Sequence, residues 1–145
     1  LSFLILQGAN AQSETRFVGN QNFNSNMNGW TLTGDITTDY CAGTSSNCPD
    51  LAGGAGTEMS RTISTVGYHT IRIQIYIEHK GLESDDWCYV AYSSSSGSKQ
   101  QVDLANSATT AGIQSVSVLD NALYNDQSSF AIYLGNTGDH SNDHC

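Results

Sequence analysis

The stretch Tyr68-His-Thr-Ile-Arg-Ile-Gln-Ile-Tyr-Ile-Glu-His-Lys80, followed by Gly81-Leu-Glu-Ser-Asp-Asp86 and Trp87-Cys-Tyr-Val-Ala-Tyr92, decides the fold class. Ile71, Ile73, Ile75 and Ile77 fall on one face, with Arg72, Gln74, Tyr76 and Glu78 on the other. Alternation with period two marks a strand with one buried face, whereas helical spacing would scatter the isoleucines around a cylinder. β-branched Ile and Thr are stiff at χ1 and suit a pleated surface. Gly81 to Asp86 reads as an acidic turn that reverses the chain. The expectation is an antiparallel pair, Tyr68 to Lys80 against Trp87 to Tyr92, at the centre of an all-β domain.

Working outward, the chain reads as short strands between polar turns. Candidate strands lie at Arg16–Phe23, Gly29–Gly34, Thr57–Val66, Lys99–Leu104, Gly112–Leu119 and Ser129–Leu134. Ser93 to Ser98 has the residue types of a hairpin turn. Asp35 to Asp50 contains the loop bracketed by Cys41 and Cys48, and no helix is convincing. About eight strands of this length predict an antiparallel β-sandwich, jelly-roll-like. With 145 residues, the chain is one domain by size. It divides into an N-terminal apolar strand plus connector (residues 1–15) and the sandwich (residues 16–145).

Fourteen acidic residues against five Lys and Arg give a formal net charge of −9. A phosphate backbone requires a cationic footprint, so nucleic acid is excluded as a partner, and anionic membrane surfaces are disfavoured by the same argument. The four cysteines, Cys41, Cys48, Cys88 and Cys145, contain no C-x-x-C pair, which argues against a zinc ribbon. An even count in a polar, lysine-poor β chain points to disulfides and an oxidising compartment, hence a secreted, extracellular protein. Cys41 and Cys48 bracket a short loop and are expected to pair locally. Cys88 would then pair with Cys145 and tie the last segment to the central strands. The alternative is reduced, buried cysteines.

Leu1-Ser-Phe-Leu-Ile-Leu6 is the most apolar run, followed by Gln-Gly-Ala-Asn-Ala-Gln12. Two readings stand. Ala9-Asn10-Ala11 fits a small-x-small cleavage site after an apolar segment, the tail of a secretory signal. Alternatively the run is a mature strand, which must be buried because exposing it is costly. It is far too short to span a bilayer.

Phe23 with Asn28-Gly29-Trp30, and Trp87-Cys-Tyr-Val-Ala-Tyr-Ser-Ser-Ser-Ser-Gly97, resemble segments of extracellular jelly-roll modules. The families are the galactose-binding-like and carbohydrate-binding ones, including MAM-like domains. The turn after Tyr92 has serine where those modules carry aspartate. A terminal strand follows their last polar loop, and here Cys145 stands where that strand would begin. The resemblance implies a sandwich, and glycan or calcium binding of the kind such modules show. It assigns no ligand residues.

A sandwich short of one strand has an open groove with unpaired backbone groups. Leu1, Phe3, Leu4, Ile5 and Leu6 could fill the groove of their own domain or that of the next molecule. The second option is strand complementation, with Gln7 to Thr15 as connector, and repeated head to tail it builds a filament. The leading expectation is therefore a structural subunit of a secreted filament, its partners copies of itself. The alternative is an extracellular carbohydrate-binding or adhesion module.

Two acidic segments are weak calcium candidates: Glu83, Asp85 and Asp86 in one, Asp139 and Asp143 in the other. Neither has the spacing of an EF-hand, and each also reads as a solvated polar loop. No other cofactor is expected. There is no G-x-S-x-G and no H-E-x-x-H, and the adjacent Asp85 and Asp86 would not face one another across a sugar; carboxylate pairs need not be close in sequence, but nothing favours an enzyme. Tyr68, Tyr76, Tyr89, Tyr92, Tyr124, Tyr133, Trp30 and Trp87 could form a glycan platform or pack across strands. No N-x-S/T sequon occurs, so any covalent glycan would be O-linked, on Ser93–Ser96 or Thr37–Thr38.

Overall fold

The computed structural model describes residues 3–8, 13–16, 27, 29–40, 47–54, 56–109, 112–119 and 122–145. Among the described residues, eleven strands run in chain order: β1 (Phe3–Gly8), β2 (Ser13–Arg16), β3 (Thr31–Thr33), β4 (Ile36–Tyr40), β5 (Asn47–Leu51), β6 (Thr57–Ile63), β7 (Tyr68–Ile77), β8 (Cys88–Ser94), β9 (Gln100–Ala105), β10 (Gly112–Leu119) and β11 (Phe130–Asn136). They form a four-stranded sheet ordered β10-β7-β1-β2, a five-stranded sheet ordered β3-β6-β11-β8-β9, and the separate pair β4-β5. Every pairing is antiparallel. The fold is an all-β sandwich, as the alternation in the sequence predicts.

β7 carries the core. Ile71, Ile73, Ile75 and Ile77 are buried and Arg72 is exposed, in the period read from the sequence. The isoleucines pack in one cluster with Cys88 and Val90 of β8 and Phe130 and Ile132 of β11. Each such side chain contributes ~1.5–3 kcal/mol of transfer free energy on burial. Tyr92 sits edge-on to Tyr124 (centroids 5.0 Å apart) and stacks with Phe130 (6.1 Å), so these aromatics belong to the core.

The expected pairing of β7 with β8 is wrong. β7 lies between β10 and β1, and β8 lies between β11 and β9, in the opposite sheet. Residues 78–87 therefore form an arch and not a hairpin turn. Two physical reasons account for it. Both strands carry an apolar face, and facing each other across the core buries both. The ten-residue connection is also longer than the usual 2–5 residues of a hairpin and long enough to step the ~10 Å between sheets.

A second difference lies at Asp35 to Asp50, where the sequence reading placed the Cys41–Cys48 loop and assigned no strand. β4 and β5 pair there in register from Ile36–Leu51 to Tyr40–Asn47. Thr37, Thr38 and Tyr40 suit a strand, but the polar run hides the alternation. The hairpin at Ser93–Ser98 is as expected: Ser94 Oγ accepts the N–H groups of Ser96 and Gly97. The strand expected at Arg16–Phe23 falls outside the described residues except for Arg16, which ends β2.

β1 lies within the sheet of its own chain, with Leu4 opposite Ile73 of β7 and opposite Arg16 of β2. Gln7 and Gly8 extend β1 and Ser13–Thr15 lie in β2, where the sequence suggested a connector. From β6 the chain crosses to β7, back to β8 and β9, over to β10 and back to β11. A further crossing would return to the four-stranded sheet. The position beside β7 opposite to β10 is held by β1, a strand from the other end of the chain.

Candidate metal centre

The arch and the C-terminal segment meet at one end of the sandwich. In the arch, Leu82 is buried among the isoleucines and anchors the loop. Asp86 is 8% exposed, and its Oδ2 accepts the N–H of Glu83 at 3.2 Å, which ties the two acids of the arch together. At the end of β11, the buried Asn136 redirects the chain. Its Nδ2 donates to the carbonyls of Leu51 and Asp143 (2.9 Å each), and its Oδ1 accepts the N–H of Gly138 at 2.8 Å.

Asp143 is 1% exposed. Its N–H donates to the His140 carbonyl (3.1 Å), and its Oδ2 accepts the His140 N–H at 2.8 Å. His144 forms backbone bonds in both directions with Lys80, and Cys145 does so with Leu51. The segment is thus wedged between the end of β5 and the end of β7. Gly53 and Gly81 permit this wedge: a Cβ at either would strike the backbone of His140 or Asn142.

Carboxylate oxygens of Glu83, Asp86, Asp139 and Asp143 all lie within 4.8 Å of one another. Glu83 and Asp139 are exposed, while Asp86 and Asp143 are buried. The Glu83 carboxyl is pushed above its ordinary range, chiefly by its hydrogen bond with Asp86, then by desolvation and the charge of Asp143. Like charges this close oppose ionisation unless a cation stands among them. The group offers only hard carboxylate oxygen, and no cysteine or histidine nitrogen belongs to it. That donor set suits calcium, which takes 6–8 oxygens with flexible geometry, and not zinc.

Of the five acidic residues singled out in the sequence, four converge here. Asp85 is exposed and outside the group. The sequence held the two loops as separate candidates, and the fold makes them one. His144 is engaged elsewhere, its Nδ1 2.9 Å from Asp50 Oδ1. His140 Nε2 lies 3.4 Å from Asp139 Oδ1 at the exposed rim. His79, beyond the end of β7, meets the Thr109 carbonyl at 2.8 Å.

The disulfide expected between Cys88 and Cys145 is present, with Cα atoms 5.6 Å apart. Cys48 is disulfide-bonded, and Cys41 lies outside the described residues. Of the apolar interface residues, Phe3, Leu4, Ile5 and Leu6 lie in β1, and Leu1 is outside the described residues.

The outer face of the five-stranded sheet carries a second cluster that sequence reading left among general aromatics. The Tyr89 hydroxyl donates to Glu58 Oε2 at 2.7 Å, and Lys99 Nζ reaches the same oxygen at 2.5 Å. Lys99 Nζ also stands 4.1 Å from the centroid of the Tyr133 ring, a cation–π contact. Tyr89 lies across Gly135, where a Cβ would strike its ring. Cross-strand packing therefore occupies these tyrosines.

The chain matches no family model and no curated protein. Among the described residues, no helix is long and apolar enough to cross a membrane.

Proposed function

We propose that this chain is a calcium-binding β-sandwich module, secreted into an oxidising extracellular compartment, that serves adhesion or carbohydrate binding. The observation that carries this reading is the convergence of Glu83, Asp86, Asp139 and Asp143 within 4.8 Å at one end of the sandwich. Two half-buried loops that place four carboxylates together are costly without a counter-ion. The Cys88–Cys145 bond supports the compartment, because disulfides persist where thiols are oxidised. The reading is of a binding protein and not a catalyst. Its test is calorimetric titration of the oxidised protein with calcium. Binding at one site, lost in Asp86→Asn and Asp143→Asn, supports it; no heat and no change in melting temperature sinks it. A glycan panel at saturating calcium then tests the ligand.

A second reading keeps the filament. Its specific observation is that the position beside β7 is filled by a strand from the far end of the chain, attached as the β1–β2 hairpin. The same register along β7 can be made by the hairpin of a neighbouring copy, and that exchange repeated head to tail builds a secreted homopolymer. Light scattering and electron microscopy of the purified protein decide it. Concentration-dependent fibres abolished by Ile5→Pro support exchange, and a monomer at all concentrations removes it.

A further inference from the structure

Cys88 stands two residues after Asp86, and Cys145 two residues after Asp143. Both carboxylates belong to the same group, and the Cys88–Cys145 bond joins the two loops that supply all four acids. Every acid on one side comes from the arch, and every acid on the other from residues 139–143. We infer that this disulfide is a redox latch on the C-terminal segment: its reduction frees residues 137–145 from the sandwich end and separates the two halves of the carboxylate group. The calcium arm of this inference rests on the reading of the group as a cation site.

Two sets of interactions hold the segment besides the covalent bond. One is polar: the backbone pairs Lys80–His144 and Leu51–Cys145, the bonds of Thr137 with Trp87 and of Gly138 with Gly54, the Asn136 bridge, and the His144–Asp50 contact. The other is the packing of Asp143 beneath Gly53, Gly81 and Gly138. Opposing them is the mutual repulsion of four carboxylates, which acts across the very boundary the disulfide closes. Within the segment, Cys145 is the residue packed against the hydrophobic clusters, whereas β8 and β11 keep Val90, Phe130 and Ile132 in the core. Segments held by a few polar contacts open at lower free energy than core strands do.

Access decides the chemistry of release. Cys88 is 2% exposed and Cys145 is half-buried. A small dithiol therefore attacks Cys145 Sγ as its thiolate, and Cys88 leaves as a thiolate and takes up a proton. The second thiolate of the dithiol then displaces Cys145, which is protonated in turn. Two electrons and two protons pass to the protein, and the dithiol becomes a cyclic disulfide. Linkage makes the effect reciprocal: a cation that binds the closed segment more tightly also makes the bond harder to reduce.

The test treats folded protein with dithiothreitol, with and without calcium. Alkylation and mass spectrometry identify which cysteines have opened, and hydrogen exchange follows residues 137–145. Expected is early loss of protection in 137–145, with β8 and β11 still protected, when Cys88 and Cys145 open. Calcium is expected to slow that opening at least tenfold, and Cys88→Ser/Cys145→Ser to bind calcium at least tenfold more weakly than the oxidised protein. Unchanged protection of 137–145 after the bond opens overturns the latch, as does melting of the core in the same step. Should the double variant fail to fold, the dithiothreitol series on the native chain decides alone. If oxidised protein binds no calcium, the cation reading fails, and the exchange data still decide the latch.

Discussion

Asp86 and Asp143, 57 residues apart in the chain, bring their carboxylates within 4.8 Å, and each stands two residues before one end of the same disulfide. Neither loop alone has the ligands for a hard cation. Joined, they present four carboxylates from two directions, with the buried pair fixed by hydrogen bonds from Glu83 and His140.

Calcium is expected to raise the melting temperature. A ligand at 100 times its Kd stabilises the folded state by ~2.7 kcal/mol, which for a domain of this size corresponds to ~5–10 °C. Calorimetry with and without chelator reads it. Asp143→Asn keeps an oxygen acceptor for the His140 N–H but is expected to abolish the calcium-dependent shift; an undiminished shift would place the ion elsewhere.

Tyr89 predicts a pH effect at the alkaline end. Burial pushes its hydroxyl well above the ordinary value, and the hydrogen bond to the Glu58 carboxylate adds to that. The folded state therefore holds this proton more tightly than the unfolded chain. The associated stability is complete below pH ~10, where a free tyrosine titrates, and is lost as pH rises toward the folded value. In an ultraviolet titration of the folded protein, Tyr89 is expected to ionise late, and Tyr89→Phe should remove its step. Burial raises Tyr92 in the same direction.

Ile73→Ala tests the core. Ile73 is 3% exposed and sits in the cluster formed by both sheets. Truncation there leaves a cavity, at an expected cost of ~2–5 kcal/mol. Urea unfolding reads it as a lower midpoint with an unchanged slope.

Gly53→Ala tests the wedge. A Cβ would strike the His140 carbonyl, which is backbone and cannot rotate away. Residues 138–143 must shift outward, at ~1–3 kcal/mol. The variant is expected to lose stability and calcium binding together, while β8–β11 exchange stays slow.

How far the sequence was legible depends on the element. β7 could be read outright, because four isoleucines at period two leave one buried face and only a strand supplies it. β11 followed from Phe130, Ile132 and Leu134 in the same way. The partner of β7 was not legible: the same alternation fits a hairpin and an arch, and only the length of residues 78–87 hints at the arch. β4 and β5 were hidden because most of their residues are polar and no alternation stands out.

Sequence alone thus determined the all-β class and the buried face of β7, since periodicity is a local fact; it favoured pairing Cys88 with Cys145 among the three pairings four cysteines allow, and the structure decided it. Only the tertiary structure decided that the arch and the C-terminal segment share one end of the sandwich, and that Asp85 is excluded while Glu83, Asp86, Asp139 and Asp143 converge. The reason is physical. Which loops meet depends on how two sheets stack to bury their apolar faces, and that is a property of the whole chain, carried by no single stretch of it.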